Sequence, residues 1–245
     1  MGAAIAPAAA LMGEPTRAAM LVALVEGRAL AAGELARRAG VSAATASAHL
    51  ARLLDGRLVS VIKQGRHRYY QLAGRDVAAA IEALSRLAPP TPPVNSLRQA
   101  RDRDALRRAR SCYDHLAGQA GVELYAALLG TGTLIAGANP GSGGGPGKPG
   151  DRSGDYAFVD LADGAPFEGL GIDVDRLRHQ RRAFVRSCLD WTERAPHLAG
   201  ALGAVLLERM LALGWLRRPP NGGRGLIVTA EGTRGLADWF GCRLS

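Results

Sequence analysis

The chain has 245 residues, 47% hydrophobic and 22% charged, which suits a globular protein with room for two small domains. Its formal charge of +9 favours an anionic partner, first nucleic acid and then a membrane surface. No apolar run approaches the roughly 20 residues that cross a bilayer, and three cysteines do not make a secreted disulfide framework. We therefore expect a cytoplasmic protein with no membrane partner.

The N-terminal part predicts three helices followed by a β-hairpin. The segment "PTRAAMLVALVEG" has apolar residues at helical spacing, and "AAGELARRAG" predicts a short second helix that ends at Gly40. A third helix, "SAATASAHLARLLDG", begins after Ser42 as N-cap. Its buried face is predicted to consist of Ala46, Leu50, Leu53 and Leu54. The segment "LVSVIKQGRHRYYQLA" then predicts two strands that turn at Gly65.

The other face of the third helix and the tip of the hairpin carry short polar and basic side chains. Such groups suit contacts with phosphates and base edges. The candidate DNA-binding residues are Ser42, Thr45, Ser47, His49 and Arg52 on the helix, and Lys63, Arg66, His67 and Arg68 on the hairpin.

Three phrases make this arrangement specific: "GEPTR", "ELARRAGVSAATASAHLARL" and "GRHRYYQL". Over roughly residues 8–88 the chain resembles the ArsR/SmtB family of dimeric winged helix-turn-helix repressors. The resemblance implies a homodimer built on the first helix and on the helix after the wing, about Val77–Leu87. It also implies that the dimer reads an inverted repeat in double-stranded DNA through the residues given above. Ala48 stands where the family usually has a second histidine, which leaves base preference open.

Neither of the two metal sites familiar in that family is present. One needs cysteines in the helix before the turn, where this chain has "GRALAAGELA". The other needs histidine and carboxylate ligands on the helix after the wing, where "DVAAAIEALSRL" has no histidine. A sensor, if the protein has one, is therefore expected in the C-terminal part.

The sequence after residue 88 predicts a Pro-rich linker at 89–96 and a duplicated domain at 97–245. "HLAGQAGVELYAALLGTGTL" aligns with "HLAGALGAVLLERMLALGWL", and a turn-rich stretch and a β run follow each. We interpret the copies, about 97–170 and 172–245, as degenerate winged-helix-like units, the first with a flexible Gly/Pro loop at 136–153. The predicted fold class is mainly α with small β-hairpins (α+β): an N-terminal winged helix-turn-helix and a C-terminal duplicated winged-helix-like domain.

The phrases "RSCYDHLAG" and "RSCLDWTERAPHLAG" bring cysteine and histidine together in both copies. We expect Cys112 and His115 on one face of a helix and Cys188 at the end of another, with Asp190 nearby and His197 after a loop. Converging about a pseudo-twofold axis, these groups suit zinc, another soft or borderline metal, haem, or a thiol-reactive effector. Two alternatives stay open: packing in the core, and an organic ligand in the cleft between the copies.

The sequence therefore predicts a dimeric transcriptional repressor that releases an inverted-repeat operator when the C-terminal domain senses an effector. A purely structural C-terminal domain is the alternative. An enzyme domain tethered to DNA, with Cys112 as nucleophile and His115 as base, has no third orienting group, and we expect no enzymatic activity.

Overall fold

The computed structural model describes residues 5–25, 28–65, 67–88, 97–137, 158–220 and 223–244. The chain divides into two compact units, 1–91 and 92–245, called the N-terminal and C-terminal units below. The predicted linker at 89–96 and most of the predicted Gly/Pro loop, 138–153, lie outside the described residues. Within the described ranges, no helix combines the length and the apolar character that crossing a bilayer requires.

The N-terminal unit contains five helices and one three-stranded antiparallel sheet among its described residues. The sheet has the strand order β1-β3-β2, and β2 and β3 form the predicted hairpin. In chain order the elements are α1 (Ala6–Gly13), α2 (Pro15–Leu24), β1 (Leu30–Ala31), α3 (Ala32–Ala39), α4 (Ala43–Asp55), β2 (Val59–Gln64), β3 (His67–Leu72) and α5 (Arg75–Leu87).

The "GEPTR" phrase forms the junction between α1 and α2. The Glu14 carboxylate accepts hydrogen bonds from the amides of Thr16 and Arg17 and so caps α2, while Pro15 occupies its first turn. The buried Arg17 guanidinium donates to the carbonyl oxygens of Ala10 and Leu11 at the end of α1, at 2.9 and 2.7 Å. Helix α1, which the Ala-rich opening did not lead us to predict, is therefore fixed by the residues that begin α2.

The predicted helix-turn-helix and hairpin are confirmed. Helix α3 ends at Gly40, which adopts a left-handed φ of 67°. The Ser42 hydroxyl accepts the Thr45 amide at the start of α4, and Ala46, Leu50 and Leu53 are fully buried whereas Leu54 is half-buried. The hairpin pairs Gln64 with His67 across the turn.

The C-terminal unit has six helices and four two-stranded antiparallel sheets among its described residues. Both units therefore combine helices with small antiparallel sheets, as the predicted α+β fold class requires. The sheets pair β4 with β5, β6 with β7, β8 with β9 and β10 with β11. The elements are α6 (Leu97–Arg108), β4 (Arg110–Cys112), β5 (His115–Ala117), α7 (Gln119–Gly130), β6 (Leu134–Gly137), β7 (Phe158–Leu161), α8 (Ala165–Gly169), α9 (Val174–Arg178), β8 (Arg186–Leu189), β9 (Pro196–Ala199), α10 (Gly200–Ala212), β10 (Leu216–Arg217), β11 (Ile227–Val228) and α11 (Ala230–Phe240).

One order of elements occurs twice in this unit: a hairpin, a long helix, a second hairpin and a further helix. The aligned residues Gly118, just before α7, and Gly200, the first residue of α10, both have positive φ, 75° and 91°. A Cβ on either would lie within 2.7 Å of a backbone carbonyl oxygen, so each backbone conformation and close approach requires glycine.

The long helices cross over to pack on each other's hairpin. Helix α7 packs on β9 and α10 packs on β5, while β5 and β9 contact one another. Leu124 and Leu128 from α7 share one hydrophobic core with Leu202 and Leu206 from α10. Neither half therefore has a separate core, and the first hairpins of the two halves contact each other.

Two predicted helices are wrong. Cys112 and His115 lie on the antiparallel strands β4 and β5, and Cys188 lies on β8, because α6 ends at Arg108 and α9 at Arg178. The chain leaves its helix at Ala109 because non-local partners take its backbone groups. The Ser111 amide donates to the Arg224 carbonyl oxygen and the Leu226 amide donates to that of Ala109.

Candidate metal centre and DNA-binding surface

The hairpins β4–β5 and β8–β9 present cysteine and histidine in the same register. Cys112 is the direct cross-strand partner of His115, and Cys188 is that of His197. Directly opposed residues of an antiparallel pair project to the same face. Each hairpin therefore directs one thiol and one imidazole to one side, and the two sides meet.

The four side chains converge on one point in the C-terminal unit. One ligand atom from each lies within 4.8 Å of the others, and the two Sγ atoms are 4.0 Å apart. The two imidazole rings stack with their centroids 5.0 Å apart. Three of the residues are buried and Cys188 is half-buried. We call this group the Cys/His cluster: Cys112, His115, Cys188 and His197.

A carboxylate stands behind each imidazole. Asp114 Oδ1 is 3.1 Å from His115 Nδ1, and Asp190 Oδ2 is 3.9 Å from His197 Nδ1. Because a carboxylate only accepts hydrogen bonds, it keeps the proton of His115 on Nδ1 and leaves Nε2 with its lone pair. The Nε2 atoms of both histidines are buried, and no hydrogen bond among the described residues satisfies them. Asp190, expected near the cysteine and histidine residues, thus lies behind His197.

Each of these carboxylates forms an ion pair with an arginine from the other half of the unit. Asp114 contacts Arg182 at 3.0 Å, and Asp190 contacts Arg110 at 2.9 Å with both side chains fully buried. Asp190 also accepts hydrogen bonds from the Gly118 amide and from Thr192. Burial raises the pKa of Asp190, but the Arg110 charge and these hydrogen bonds outweigh it and hold the carboxyl ionised.

Glycines on the long helices allow these helices to approach the backbones of the hairpins that carry the histidines. Gly121 of α7 is placed so that a Cβ would lie 3.6 Å from His197 Cβ, and Gly203 of α10 so that one would lie 3.4 Å from His115 Cβ. Each Cβ would also approach a carbonyl oxygen, that of Leu116 at 2.6 Å or of Leu198 at 2.7 Å. Gly121 and Gly203, which align in sequence, therefore allow the same close approach of a long helix to each of the two hairpins.

The surroundings of Cys188 favour its thiolate. The hydrogen bond from Cys112 lowers the pKa of Cys188, burial opposes this, and both imidazoles lower it further. For His115, burial lowers the pKa, but the hydrogen bond with Asp114 and the nearby charges of Cys188 and Asp114 outweigh it and raise the pKa overall. Cysteine and histidine, the residue types of the cluster, are the side chains that bind soft and borderline metal ions once their protons are displaced.

The third cysteine and the aromatic residues take no part in this centre. Cys242 is buried in the core, where burial and the Glu123 charge raise its thiol pKa to about 11. Trp215 is also a core residue, and Trp191 stacks on the Arg110 guanidinium, 4.8 Å from its ring centroid.

The candidate DNA-binding residues of α4 divide into two groups. Ser42, Thr45, Ser47 and Arg52 are exposed. His49 is half-buried, and its Nδ1 lies 3.3 Å from the Glu14 carboxylate at the start of α2. Its imidazole therefore connects α4 to α2, in addition to any contact with a partner.

The β2–β3 hairpin, called the wing below, is basic at its tip. Lys63, His67 and Arg68 are exposed, whereas Arg66 lies outside the described residues. Lys63 is the direct cross-strand partner of Arg68, and like charges in that position repel. An anion at the tip would relieve this repulsion.

Sequence reasoning missed Arg110 and Arg182, which fix the two carboxylates behind the histidines. Both belong to arginine-rich stretches that are typical of solvated helix faces. The repeated "RSC" phrase was the available signal for Arg110, since it places an arginine two residues before each cysteine. No repeated phrase of this kind includes Arg182.

Comparison with known proteins connects these observations to a function. A family model described as a helix-turn-helix domain matches residues 12–62. The HTH-type transcriptional regulator YdfF of Bacillus subtilis (strain 168) is 42% identical over 229 residues, which are 93% of this chain and 93% of that protein. The chain belongs to the YdfF family. This assigns it to the DNA-binding transcriptional regulators rather than to the enzymes, and the likeness to YdfF extends through the C-terminal unit.

Solved structures with similarity to this YdfF-family chain match about a third of it. NolR from Sinorhizobium fredii is 32% identical and covers 34% of this chain and 81% of its own, with a TM-score of 0.32. The homodimeric winged helix-turn-helix DNA-binding domain Mb0332 from Mycobacterium bovis is 31% identical and covers 34% and 75%, with a TM-score of 0.31.

Proposed function

We propose that this chain is a dimeric repressor that reads an inverted-repeat operator with α4 and the β2–β3 wing. The exposed polar face of α4 beside a basic hairpin tip carries the proposal. Arginine and short hydroxyl side chains on such a face match the base edges and phosphates of the major groove. Acting on DNA, the protein would work in the cytoplasm.

Dimerisation is supported by exposed apolar side chains on two helices. Val22 on α2 is 44% exposed, and Leu84 and Leu87 on α5 are 50% and 82% exposed. These are the two helices on which the resemblance to the ArsR/SmtB family places a dimer interface. A twofold dimer would present two recognition helices to half-sites about one helical turn apart, about 34–36 Å.

The C-terminal unit is proposed as the effector domain, with the Cys/His cluster, supported from behind by Asp190, as the site that receives a metal ion or a thiol-reactive species. We interpret the unit as two degenerate winged-helix-like copies, and the recurring order of elements supports this interpretation. Since both half-sites must be engaged at once, an effector that changes the separation of the recognition helices would release the operator.

The DNA-binding assignment is tested by selecting double-stranded DNA from a random pool on the full chain. We expect the retained sequences to contain an inverted repeat. Replacing Lys63 and Arg68 together by alanine should weaken binding to all selected duplexes and lower the slope of log affinity against log salt by about 2 per protomer. Arg234→Ala, an exposed arginine of α11, is the matched control. An unchanged slope in the double variant would contradict the placement of the wing on DNA.

The dimer is tested by the molar mass of the full chain in solution. We expect the Leu84→Asp/Leu87→Asp variant to be monomeric and to lose affinity for the complete repeat while it remains folded. Ile135→Asp, at a 51% exposed position on β6, is the matched control and should leave the dimer intact. A dimeric double variant would place the interface elsewhere.

The effector role is tested by measuring operator affinity with zinc, with a chelator, with an oxidant and with small-molecule extracts. A change caused by metal or oxidant, absent in Cys188→Ser, would support sensing at the cluster. A change caused only by an organic compound would move the effector to the cleft between the copies. Affinity that none of these changes would indicate a purely structural C-terminal unit.

A further inference from the structure

We propose that the Cys/His cluster binds one zinc ion in a closed tetrahedral site, with Asp114 and Asp190 as outer carboxylates. The inference rests on the proposed function only for its choice of site, and it names the species bound there. It places the metal on two β-hairpins from separate halves of the C-terminal unit, and it needs no residue of the helix-turn-helix.

The distances suit a tetrahedral ion. Zinc–sulfur bonds of about 2.3 Å at the tetrahedral angle place two sulfur atoms about 3.8 Å apart, and the two Sγ atoms here are 4.0 Å apart. All four ligand atoms lie within 4.8 Å of one another, so a small inward movement completes the site. A porphyrin between two axial ligands would leave the other two without a role.

Charge favours a divalent cation at this position. Bound to a metal ion, both cysteines would be thiolates with a charge of −2, and a buried charge of this size requires compensation. The neighbouring ions provide none, because Asp114 is paired with Arg182 and Asp190 with Arg110. A divalent ion would leave the centre and its surroundings neutral.

The histidines are prepared as metal ligands. A carboxylate that holds the proton on Nδ1 leaves Nε2 as a donor atom and fixes the ring, an arrangement found around most metal-bound histidines. Here Asp114 holds His115 and Asp190 faces His197, and both Nε2 atoms are buried without a hydrogen bond among the described residues. Burying two such nitrogens is costly unless something binds them.

The donor set selects the class of metal. Two thiolates and two imidazoles in a tetrahedron are typical of zinc, whereas oxygen-seeking ions such as Mg²⁺ and Ca²⁺ prefer carboxylates and carbonyls. With four protein ligands no position is open for a substrate, which is the arrangement of a structural rather than a catalytic zinc site. The ion would join β4–β5 to β8–β9, so its binding energy would become stability of the C-terminal unit.

The first test is the metal content of the full chain purified without added metal and under reducing conditions. We expect one zinc per chain. After removal with a chelator, cobalt(II) should give the intense visible bands of a tetrahedral ion and a near-ultraviolet thiolate-to-cobalt band, and zinc should abolish both. A folded, reduced protein that binds neither ion with stoichiometry would overturn the inference.

Variants test the ligands one by one. Cys112→Ser and Cys188→Ser should each lose the stoichiometric ion, whereas Cys242→Ser and His179→Ala, a buried thiol and an exposed imidazole outside the cluster, should retain it. Asp114→Asn should keep the ion but bind it about 10–100-fold more weakly. Retention of full affinity by both cluster cysteine variants would contradict the assignment.

X-ray absorption of the wild-type zinc protein tests the site without relying on variants that must fold. We expect two sulfur neighbours at about 2.3 Å and two nitrogen neighbours at about 2.0–2.1 Å. A shell of nitrogen and oxygen alone would overturn the inference, as would a Cys112–Cys188 disulfide found by thiol titration and mass. None of these measurements uses DNA. Bound zinc with unchanged operator affinity would therefore remove the sensing role alone, and absent zinc would leave DNA binding by α4 untouched.

Discussion

The two units differ in how far along the chain their polar side chains find partners. In the N-terminal unit, Glu14 caps α2 through amides two and three residues away, and Ser42 caps α4 through one three residues away. In the C-terminal unit, Arg110 bonds to Thr192, 82 residues away, and Asp190 accepts the Gly118 amide, 72 residues away. Because its helix caps are local, the structure of the N-terminal unit can be predicted from short sequence motifs. The structure of the C-terminal unit depends on residue pairs that form only when both of its halves have folded together.

The largest test of this difference is to break the buried pair between Arg110 and Asp190. Replacing Asp190 by asparagine leaves the Arg110 charge fully buried without its counter-ion, and the free energy of unfolding of the C-terminal unit should fall by about 3–5 kcal/mol. All three tryptophans belong to this unit, so urea unfolding followed by tryptophan fluorescence measures the loss. The measurement is made with excess chelator, so that metal binding does not contribute.

The matched control is Arg107→Ala, which removes an ion pair with Glu193. The Arg107 side chain is 68% exposed, and the loss should stay below about 1 kcal/mol. Equal losses for Asp190→Asn and Arg107→Ala would show that burial of the Asp190 pair does not govern the stability of this unit.

A smaller test introduces the same methyl group into both units. In Gly203→Ala, the added Cβ meets the Leu198 carbonyl oxygen at 2.7 Å, and crowding should cost about 1–3 kcal/mol. In Gly33→Ala, within α3, the nearest atom is 3.9 Å away and belongs to the flexible Arg37 side chain. There the lower entropy of the unfolded chain should stabilise by about 0.4–1 kcal/mol.

Fluorescence-monitored unfolding measures the effect of Gly203→Ala, and the midpoint of thermal unfolding by circular dichroism measures that of Gly33→Ala. Opposite signs are expected, because α3 is packed loosely around Gly33 while α10 lies against the β8–β9 hairpin at Gly203. Stabilisation by Gly203→Ala would mean that α10 lies farther from this hairpin than the 2.7 Å contact indicates, whereas destabilisation by Gly33→Ala would mean that α3 is packed more tightly than described.

The same contrast explains which elements the sequence predicted. Gly40, Ser42 and Gly65 act on their immediate neighbours, and the helices and hairpin that they bound were predicted correctly. Cys112 was placed on a helix because helical spacing put it on one face with His115. The structure instead pairs the same two residues across a hairpin, because residues 224–226 form backbone hydrogen bonds and a single β-bridge with residues 109–111.

For the Cys/His cluster, the sequence likewise predicted which residues come together but not the strands that carry them. Repetition of two phrases indicated that the four residues belong together, and the structure brings them together. Asp190, which was expected near these residues, lies behind the cluster, where Arg110, Thr192 and Gly118 all bind its carboxylate. Those partners are distant in sequence or ordinary in type, so no spacing indicates them.

The smallest expected effect concerns a local hydrogen bond of the N-terminal unit, the N-cap of α4. Ser42→Ala removes the acceptor for the Thr45 amide and should lower the stability of the N-terminal unit by about 1 kcal/mol. Because the change is local, tryptophan fluorescence should report the same unfolding midpoint as in the wild type, while amide exchange across residues 43–55 becomes faster.

Ser47→Ala is the control, since Ser47 only donates to the Ala43 carbonyl oxygen within the helix and its loss should change stability by less than about 0.5 kcal/mol. A shifted fluorescence midpoint in Ser42→Ala would mean that the cap at α4 stabilises the C-terminal unit as well, and the two units would then not be independent.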